Sequence, residues 1–517
     1  MAEALPAHAV VAVFGAGAMG VGIAQTAAAA GHRVLLFDAR IGVADEARRK
    51  LQATFAALAE KGKLAVPDAV AAAERIRPIH AIGDAVSARL VIEAIVEDEA
   101  AKRELFRQLE VVVAPEAILA SNTSSLSITT LAAGLKHPRR VAGMHFFNPV
   151  PLMPLVEIVS GLATDSEVAA SLYATALAWG KSPVHARSTP GFIVNRCARP
   201  YYGEAWRLLA EQAADPPTID AVMREAGGFR MGPFELMDLV GHDVNHAVTH
   251  GVWEGYFHDP RFTPPVAQRE MVAAGFIGRK SGRGFYDYAP DATRPPPCTL
   301  PPADAPGRVV AYGDLGPAEA LVERLVARGV AIERGPAQEV FPGGVLAAGG
   351  AWLALTDGRT ATLRAAATGA HDLVVFDLAF DYGKAARIGV ARADQCSGAA
   401  FGAAVGLLQA AGLAVSPFDD VAGLAVMRTV AMLVNEAADA ATQGIASPAD
   451  IDVAMRKGVS YPAGPFAWGD AVGCTRIREV LRNLQAHYGD PRYRVAPLVA
   501  RRSATGGKLG EPGGGNG

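Results

Sequence analysis

A repeat at a fixed offset constrains this chain more than any other feature of its sequence. Ile219–Asp220 recurs as Ile451–Asp452, and Gly232–Pro233–Phe234 recurs as Gly464–Pro465–Phe466. Asp238 and Gly241 recur as Asp470 and Gly473, and Arg196 and Glu204–Ala205 as Arg428 and Glu436–Ala437. Every pair is 232 positions apart, so a whole helical module is duplicated. With 517 residues the chain is also too long for a single core, and several domains are expected.

The N-terminal stretch has a different texture. Val10–Phe14 is a short apolar run that reads as a buried strand, and Gly15–Ala16–Gly17–Ala18–Met19–Gly20 follows at once. A small-residue helix then runs to Ala30, and Arg33–Asp38 reads as a second strand with an acid at its end. G-x-G-x-x-G alone is weak, but between a strand and a helix it is a dinucleotide fingerprint. Gly15 permits the tight turn, Gly17 lets the backbone approach a pyrophosphate, and Gly20 lets helix pack on strand. Asp38 accepts hydrogen bonds from ribose hydroxyls and repels a 2′-phosphate, which favours NAD over NADP. Arg40 works against that preference.

These signals predict an α/β Rossmann domain over 1–186 and an all-α domain over 187–288. Residues 289–306 hold seven prolines and no period, and read as a linker. A degenerate Rossmann-like domain is expected over 307–413. It opens with Arg308–Gly316 as strand and turn but lacks the glycine fingerprint. The second helical copy is assigned to 414–502, and the glycine-rich residues 503–517 to a disordered tail.

One stretch of the first half stands out chemically. His145 lies late in the apolar run Val141–Phe147, and Glu157 lies inside a second apolar run, Leu155–Val159. Pro149, Pro151 and Pro154 punctuate the connector. If both runs are strands of one sheet, the loop brings Glu157 to His145. A carboxylate in a buried strand asks for a partner, and an imidazole oriented by a carboxylate is a good general base near neutral pH. Ser121–Asn122–Thr123–Ser124–Ser125 follows another predicted strand, where open α/β sheets bind ligands, although capping of a helix from Ser127 onward claims some of these hydroxyls. No counterpart of the histidine stretch precedes the second helical copy, and Met427 stands where Asn195 would be. The second half therefore reads as fold without catalysis.

Composition excludes several classes. A net charge of −3 with intermixed signs gives no footprint for nucleic acid or an anionic membrane. Four scattered cysteines argue against a disulfide framework or a zinc site, so no metal is expected. No apolar run reaches membrane-spanning length, and the start lacks a basic leader. A cytoplasmic protein is the expectation.

Taken together, these motifs resemble the L-3-hydroxyacyl-CoA dehydrogenases. The likeness is carried by Gly15-x-Gly17-x-x-Gly20, Ser121–Ser125, His145–Pro149, Glu157 and Pro190–Arg196, and it spans about Val10 to Tyr288. The resemblance implies an NAD-dependent oxidoreductase acting on an acyl-CoA substrate. His145 is implied as base, Glu157 as its orienting partner, and Ser124 and Asn195 as donors to the reacting oxygen. It implies cofactor contacts at Asp38, Glu97, Lys102, Asn122, Asn148 and Lys280, and coenzyme A contacts at Thr54 and Lys61. The long two-copy form is similar to bacterial members linked to phenylacetate degradation, which oxidise 3-hydroxyadipyl-CoA. The alternatives are a 3-hydroxybutyryl-CoA or medium-chain enzyme of fatty-acid metabolism and, from another class, a non-catalytic NAD-binding scaffold. The duplication is expected to form an internal pseudo-dimer in a monomer, or to sit within a homodimer.

Overall fold

Val10–Phe14 forms strand β1 with every residue buried, as a central parallel strand covered on both faces requires. Around it lie β2 (Arg33–Phe37), β3 (Ile76–Pro78), β4 (Ala88–Glu93), β5 (Ile118–Ser121), β6 (Val141–Phe146), β7 (Leu155–Ser160) and β8 (Ser182–Arg187). The sheet order is β3-β2-β1-β4-β5-β6-β7-β8. Strands β1 to β6 run parallel, β7 is antiparallel to β6, and β8 is parallel to β7. This is the doubly wound order, with its switch point between β1 and β4.

The computed structural model describes residues 3–511. They fall into two compact units that cut across the expected domain boundaries. The first unit runs to Arg196 and also takes Gln443–Val459. Helix Pro448–Gly458 packs on β7 and β8, and the Arg187 amide donates to the Ile445 carbonyl at 2.8 Å. Gly458 sits so close to Leu155 and Val194 that a Cβ there would collide with both. A segment of the second repeat therefore completes the first sheet.

The second unit comprises Cys197–Thr442 and the chain from Ser460 onward. Its sheet contains β9 (Val309–Tyr312), β10 (Ile332–Gly335), β11 (Val345–Ala348), β12 (Ala351–Leu355), β13 (Leu373–Phe376), β14 (Arg387–Arg392) and β15 (Ala414–Pro417). The order is β10-β9-β11-β12-β13-β14-β15, with antiparallel pairs at β9/β11, β11/β12 and β13/β14. The doubly wound pattern is thus reduced and interrupted. Residues 289–306 carry no helix or strand, yet they are fixed to the unit: the Cys298 amide donates to Thr218 Oγ1 and the Leu300 amide to the Val415 carbonyl, both at 2.8 Å.

Apart from Gln443–Val459, both helical copies belong to this unit, and they grip each other reciprocally. Arg428 is fully buried. Its Nε donates to Glu204 at 2.7 Å, and its terminal nitrogens reach Glu211, Tyr488 and Tyr493. Tyr493 in turn donates to Glu204 at 2.9 Å. In the opposite direction Arg261 reaches Glu436, the repeat partner of Glu204, at 3.3 Å, and also Asp439. A buried ion pair left without one partner costs about 3–5 kcal/mol, so these contacts fix how the two copies dock.

The tail departs from expectation. Helix Pro497–Thr505 runs past residue 503, Leu509 is fully buried, and its amide donates to Asp470 Oδ1 at 2.6 Å. One leucine packed against Gly469 orders a segment whose glycine content suggested disorder. Residues 512–517 of the expected tail lie outside the described residues.

Candidate active site

The carboxyl ends of the parallel strands gather the singled-out residues. Gly15 adopts φ +102°, and a Cβ there would strike the Ala94 carbonyl, while one on Gly20 would strike the Gly15 carbonyl. Only glycine fits at either position. Helix Ala18–Ala29 starts with no side-chain cap, leaving its first amides for a ligand. A Cβ on Gly17 would meet nothing within 4 Å. A cleft of about 540 Å³ opens here, walled by Gly15, Gly17, Asp38, Arg40 and Ala94–Val96. Asp38 holds Ala16 N at 2.9 Å and Arg40 N at 3.0 Å, and Arg40 Nε lies 3.1 Å away. Burial presses the Asp38 carboxyl upward, but the bonds from Arg40 and Ala16 outweigh it and leave the group below the usual range. Free helix amides, a glycine floor and an ionised acid beside them match the phosphates and ribose of a dinucleotide.

Beside that cleft stands a network the sequence reading missed. Glu93 ends β4 fully buried, and Lys102 Nζ lies 3.0 and 2.8 Å from its two oxygens. Lys102 is itself 1% exposed, and Glu97 is its second acid at 3.3 Å. The implied role of Lys102 as a cofactor contact therefore meets an ammonium already taken up by two carboxylates. Glu97 accepts from Thr123 Oγ1 at 2.6 Å, Ser124 N at 3.0 Å and Ser125 Oγ at 2.9 Å. Burial raises its pKa, yet the Thr123 bond, the Lys102 charge and the serine donors carry it below normal. Glu97 is thus the hub that shapes the Ser121–Ser125 turn. Ser127, not this cluster, caps the following helix through Thr130 N. Glu93, like Glu157, is an acid within an apolar strand.

His145 and Glu157 are direct partners in the β6/β7 register. His145 Nδ1 lies 2.6 Å from Glu157 Oε2, and both side chains are buried. The other carboxylate oxygen, Oε1, accepts from the amides of Ile193 and Val194, each at 3.0 Å. Those amides open the short helix Val194–Cys197 that carries Asn195, which is partly exposed. One carboxylate therefore fixes the imidazole and anchors the Asn195 turn. With Oε2 accepting, the ring proton sits on Nδ1 and Nε2 presents a lone pair. Phe147 and Phe192 flank the ring, with centroids at 4.5 and 5.8 Å. Phe192 takes φ +45°, unusual for a bulky residue, and its repeat partner Leu424 takes φ +52°.

The second copy keeps the same kind of carboxylate anchor. Asp377 accepts from the amides of Ala425, Val426 and Met427, the repeat positions of Ile193, Val194 and Asn195. Burial pushes this carboxyl up to about 6.

The remaining candidates are placed as follows. Asn122 Oδ1 accepts from Phe146 N at 2.8 Å, which ties the serine turn to the histidine strand. Asn148 is exposed and precedes a cis Pro149. Thr54 donates to Lys50 O on the outer face of helix Val43–Glu60, and Lys61 caps that helix exposed. Lys280 belongs to the second unit, in the turn Arg279–Ser281, with its ammonium 2.6 Å from Asp243.

Comparison with known proteins agrees with this geometry. Models described as the NAD binding and C-terminal domains of 3-hydroxyacyl-CoA dehydrogenase match residues 10–189 and residues 191–288 and 423–516. A 3-hydroxybutyryl-CoA dehydrogenase reduced Rossmann-fold domain matches residues 353–421. The 3-hydroxyadipyl-CoA dehydrogenase of Escherichia coli is 43% identical over 95% of this chain and 97% of its own. A probable 3-hydroxybutyryl-CoA dehydrogenase of Bacillus subtilis is 44% identical over 53% of this chain and 96% of its own. A crystal structure described as 3-hydroxybutyryl-CoA dehydrogenase from Escherichia coli superposes with a TM-score of 0.87 at 42% identity, covering 96% of this chain and 98% of that one.

Proposed function

Because the chain belongs to the 3-hydroxyacyl-CoA dehydrogenase family, NAD-dependent oxidoreductases, we propose that it oxidises (S)-3-hydroxyadipyl-CoA to 3-oxoadipyl-CoA with His145 as the base. The observation that carries the reaction is the buried His145–Glu157 pair on the sheet edge that also forms the dinucleotide cleft. In this reading Nε2 of His145 takes the proton of the 3-hydroxyl, and Glu157 stabilises the imidazolium that forms. NAD held in the glycine-floored cleft would supply the hydride acceptor for C3. Ser124 and Asn195 donate to the oxygen as it becomes a carbonyl. Gly15, Gly17, Gly20 and Asp38 hold the cofactor, with Glu97, Asn122 and Asn148 shaping the adjoining loops. Thr54 and Lys61 serve the coenzyme A moiety.

The adipyl assignment is supported by the relative that matches across both repeats and bears that name. A 3-hydroxybutyryl substrate is the second reading, favoured by the description of the full-length structural relative. Oxidation of a panel of 3-hydroxyacyl-CoA esters, followed as NADH formation, decides between them by kcat/KM. His145→Gln is expected to lower kcat by about 10²–10⁴ with NAD affinity retained; near-normal turnover in that variant overturns the mechanism. The reciprocal Arg428–Glu204 and Arg261–Glu436 contacts support a pseudo-dimer formed within one chain. No helix among the described residues is long and apolar enough to cross a membrane, and a cytoplasmic location fits the four free cysteines.

A further inference from the structure

The first helical copy holds a guanidinium without an acid. Arg199 is 7% exposed. One terminal nitrogen donates to Thr249 Oγ1 at 2.9 Å, and the guanidinium lies 4.8 Å from the centre of the Tyr202 ring. Its Nε has no partner, and among the described residues no carboxylate pairs with the guanidinium. The neighbouring arginines are all paired: Arg207 with Glu204 at 2.9 Å, Arg261 with Asp259 at 2.8 Å, and Arg492 with Asp490 at 2.5 Å. An isolated buried cation is among the most unfavourable arrangements in a protein unless an anion joins it.

The surroundings have room for one oxygen of such an anion. Arg199, Thr249, Asn245 and Gln268 give the polar atoms of a cavity of about 20 Å³ whose other walls include Trp206, Phe262 and Pro265. That volume holds a water-sized polar group. Asn245 accepts from Gln268 through its amide oxygen at 3.0 Å, which leaves its NH₂ group as a donor. The cavity shares Gly203, Trp206, Arg207, Thr263 and Pro265 with an open groove of about 330 Å³, whose further walls include Pro264 and Val266. A small cationic end joined to an apolar groove is shaped for a charged head on a hydrocarbon stem.

We propose that the Arg199 pocket binds the carboxylate of an aliphatic acid, with the guanidinium as counter-ion and the groove beside Trp206 taking the chain. Two sources carry this chemistry: a free aliphatic acid, or the far carboxylate of a dicarboxylic acyl thioester. The second source rests on the substrate reading above. The test uses the full-length protein. Thermal unfolding of the wild type is followed with formate or adipate against chloride at equal ionic strength. A carboxylate-dependent rise in Tm of about 2–4 °C is expected, and it should vanish in Arg199→Met. No rise in the wild type, or the same rise in the variant, overturns a site for free acid. The second arm compares kcat/KM on 3-hydroxyadipyl-CoA and 3-hydroxybutyryl-CoA. If the acyl chain supplies the carboxylate, the adipyl-to-butyryl ratio falls about 100-fold in Arg199→Met and recovers partly in Arg199→Lys. An unchanged ratio with no Tm response sinks the proposal in both forms. A wild type inactive on the adipyl ester refutes the substrate reading instead, and the Tm arm then decides the pocket alone.

Discussion

Glu157→Gln is the most informative substitution, because the two carboxylate oxygens have different obligations. Oε1 accepts from two amides, and Oε2 accepts from His145 Nδ1. A glutamine keeps one acceptor. Two fixed N–H donors outvote one ring, so the amide oxygen should stay on Ile193 and Val194 and the NH₂ should face His145. The ring must then present a lone pair at Nδ1 and move its proton to Nε2, the atom proposed to receive the substrate proton. Side-chain volume and the helix anchor are retained, so the fold should lose only the charge assistance of these bonds, about 1.5–3 kcal/mol. Catalysis loses the correct tautomer and the partner of the imidazolium, for a fall in kcat of about 10²–10⁴. The assay is initial-rate NADH formation at saturating substrate, with denaturant unfolding of the same preparation as control. Nitrogen NMR of labelled histidine reads the tautomer directly. Turnover within about threefold of wild type, or an Nδ1-protonated ring in the variant, would falsify the orientation argument.

Other outcomes follow from named contacts. Asp38→Asn should raise KM for NAD about tenfold or more by removing a charged acceptor; unchanged cofactor kinetics would show that the acid does not meet the ribose. Arg428→Met removes one of the two guanidiniums on buried Glu204, leaving Arg207, and should lower unfolding stability by at most about 3–5 kcal/mol, read from urea midpoints at constant slope. Asp220 is raised to about 7, chiefly by burial, against the bond from Tyr286 and the amides of Phe234 and Glu235. The folded state then keeps a proton that the unfolded chain releases near 3.8. The resulting penalty is fully present above about pH 7 and shrinks as pH falls toward 4. Relative to Asp220→Asn, the wild type should gain stability on acidification from pH 7 to 5, by at most about 1.4 kcal/mol per pH unit. Parallel pH profiles of the two proteins would contradict this.

The site was legible where a residue type conflicts with its surroundings. His145 and Glu157 stood out because a carboxylate in an apolar strand demands a partner, and they proved to be register partners. Glu93 carried the same signal. Without it, Lys102 looked available, whereas it is enclosed by Glu93 and Glu97. The glycine fingerprint placed the cleft because strand, turn and helix act locally. What stayed hidden depends on packing between distant segments. The repeat shows which residues are copies but not which sheet each copy covers, so Gln443–Val459 could not be assigned to the first unit. Arg199 and Arg207 look alike in the sequence, and only burial without an acid separates the first from the second.

That returning segment bears on how the protein is made. The first unit is complete in sequence to Arg196, yet its last helix is synthesised about 250 residues later. At cellular elongation rates the delay is roughly 12–50 s. During it, β8 lacks the Ile445 carbonyl that receives the Arg187 amide, and Leu155 and Val194 lack the close packing of Gly458. Packing of the first unit is thus complete only once residues 443–459 of the second repeat are made. A gene cut between the repeats would separate a sheet from its own cover.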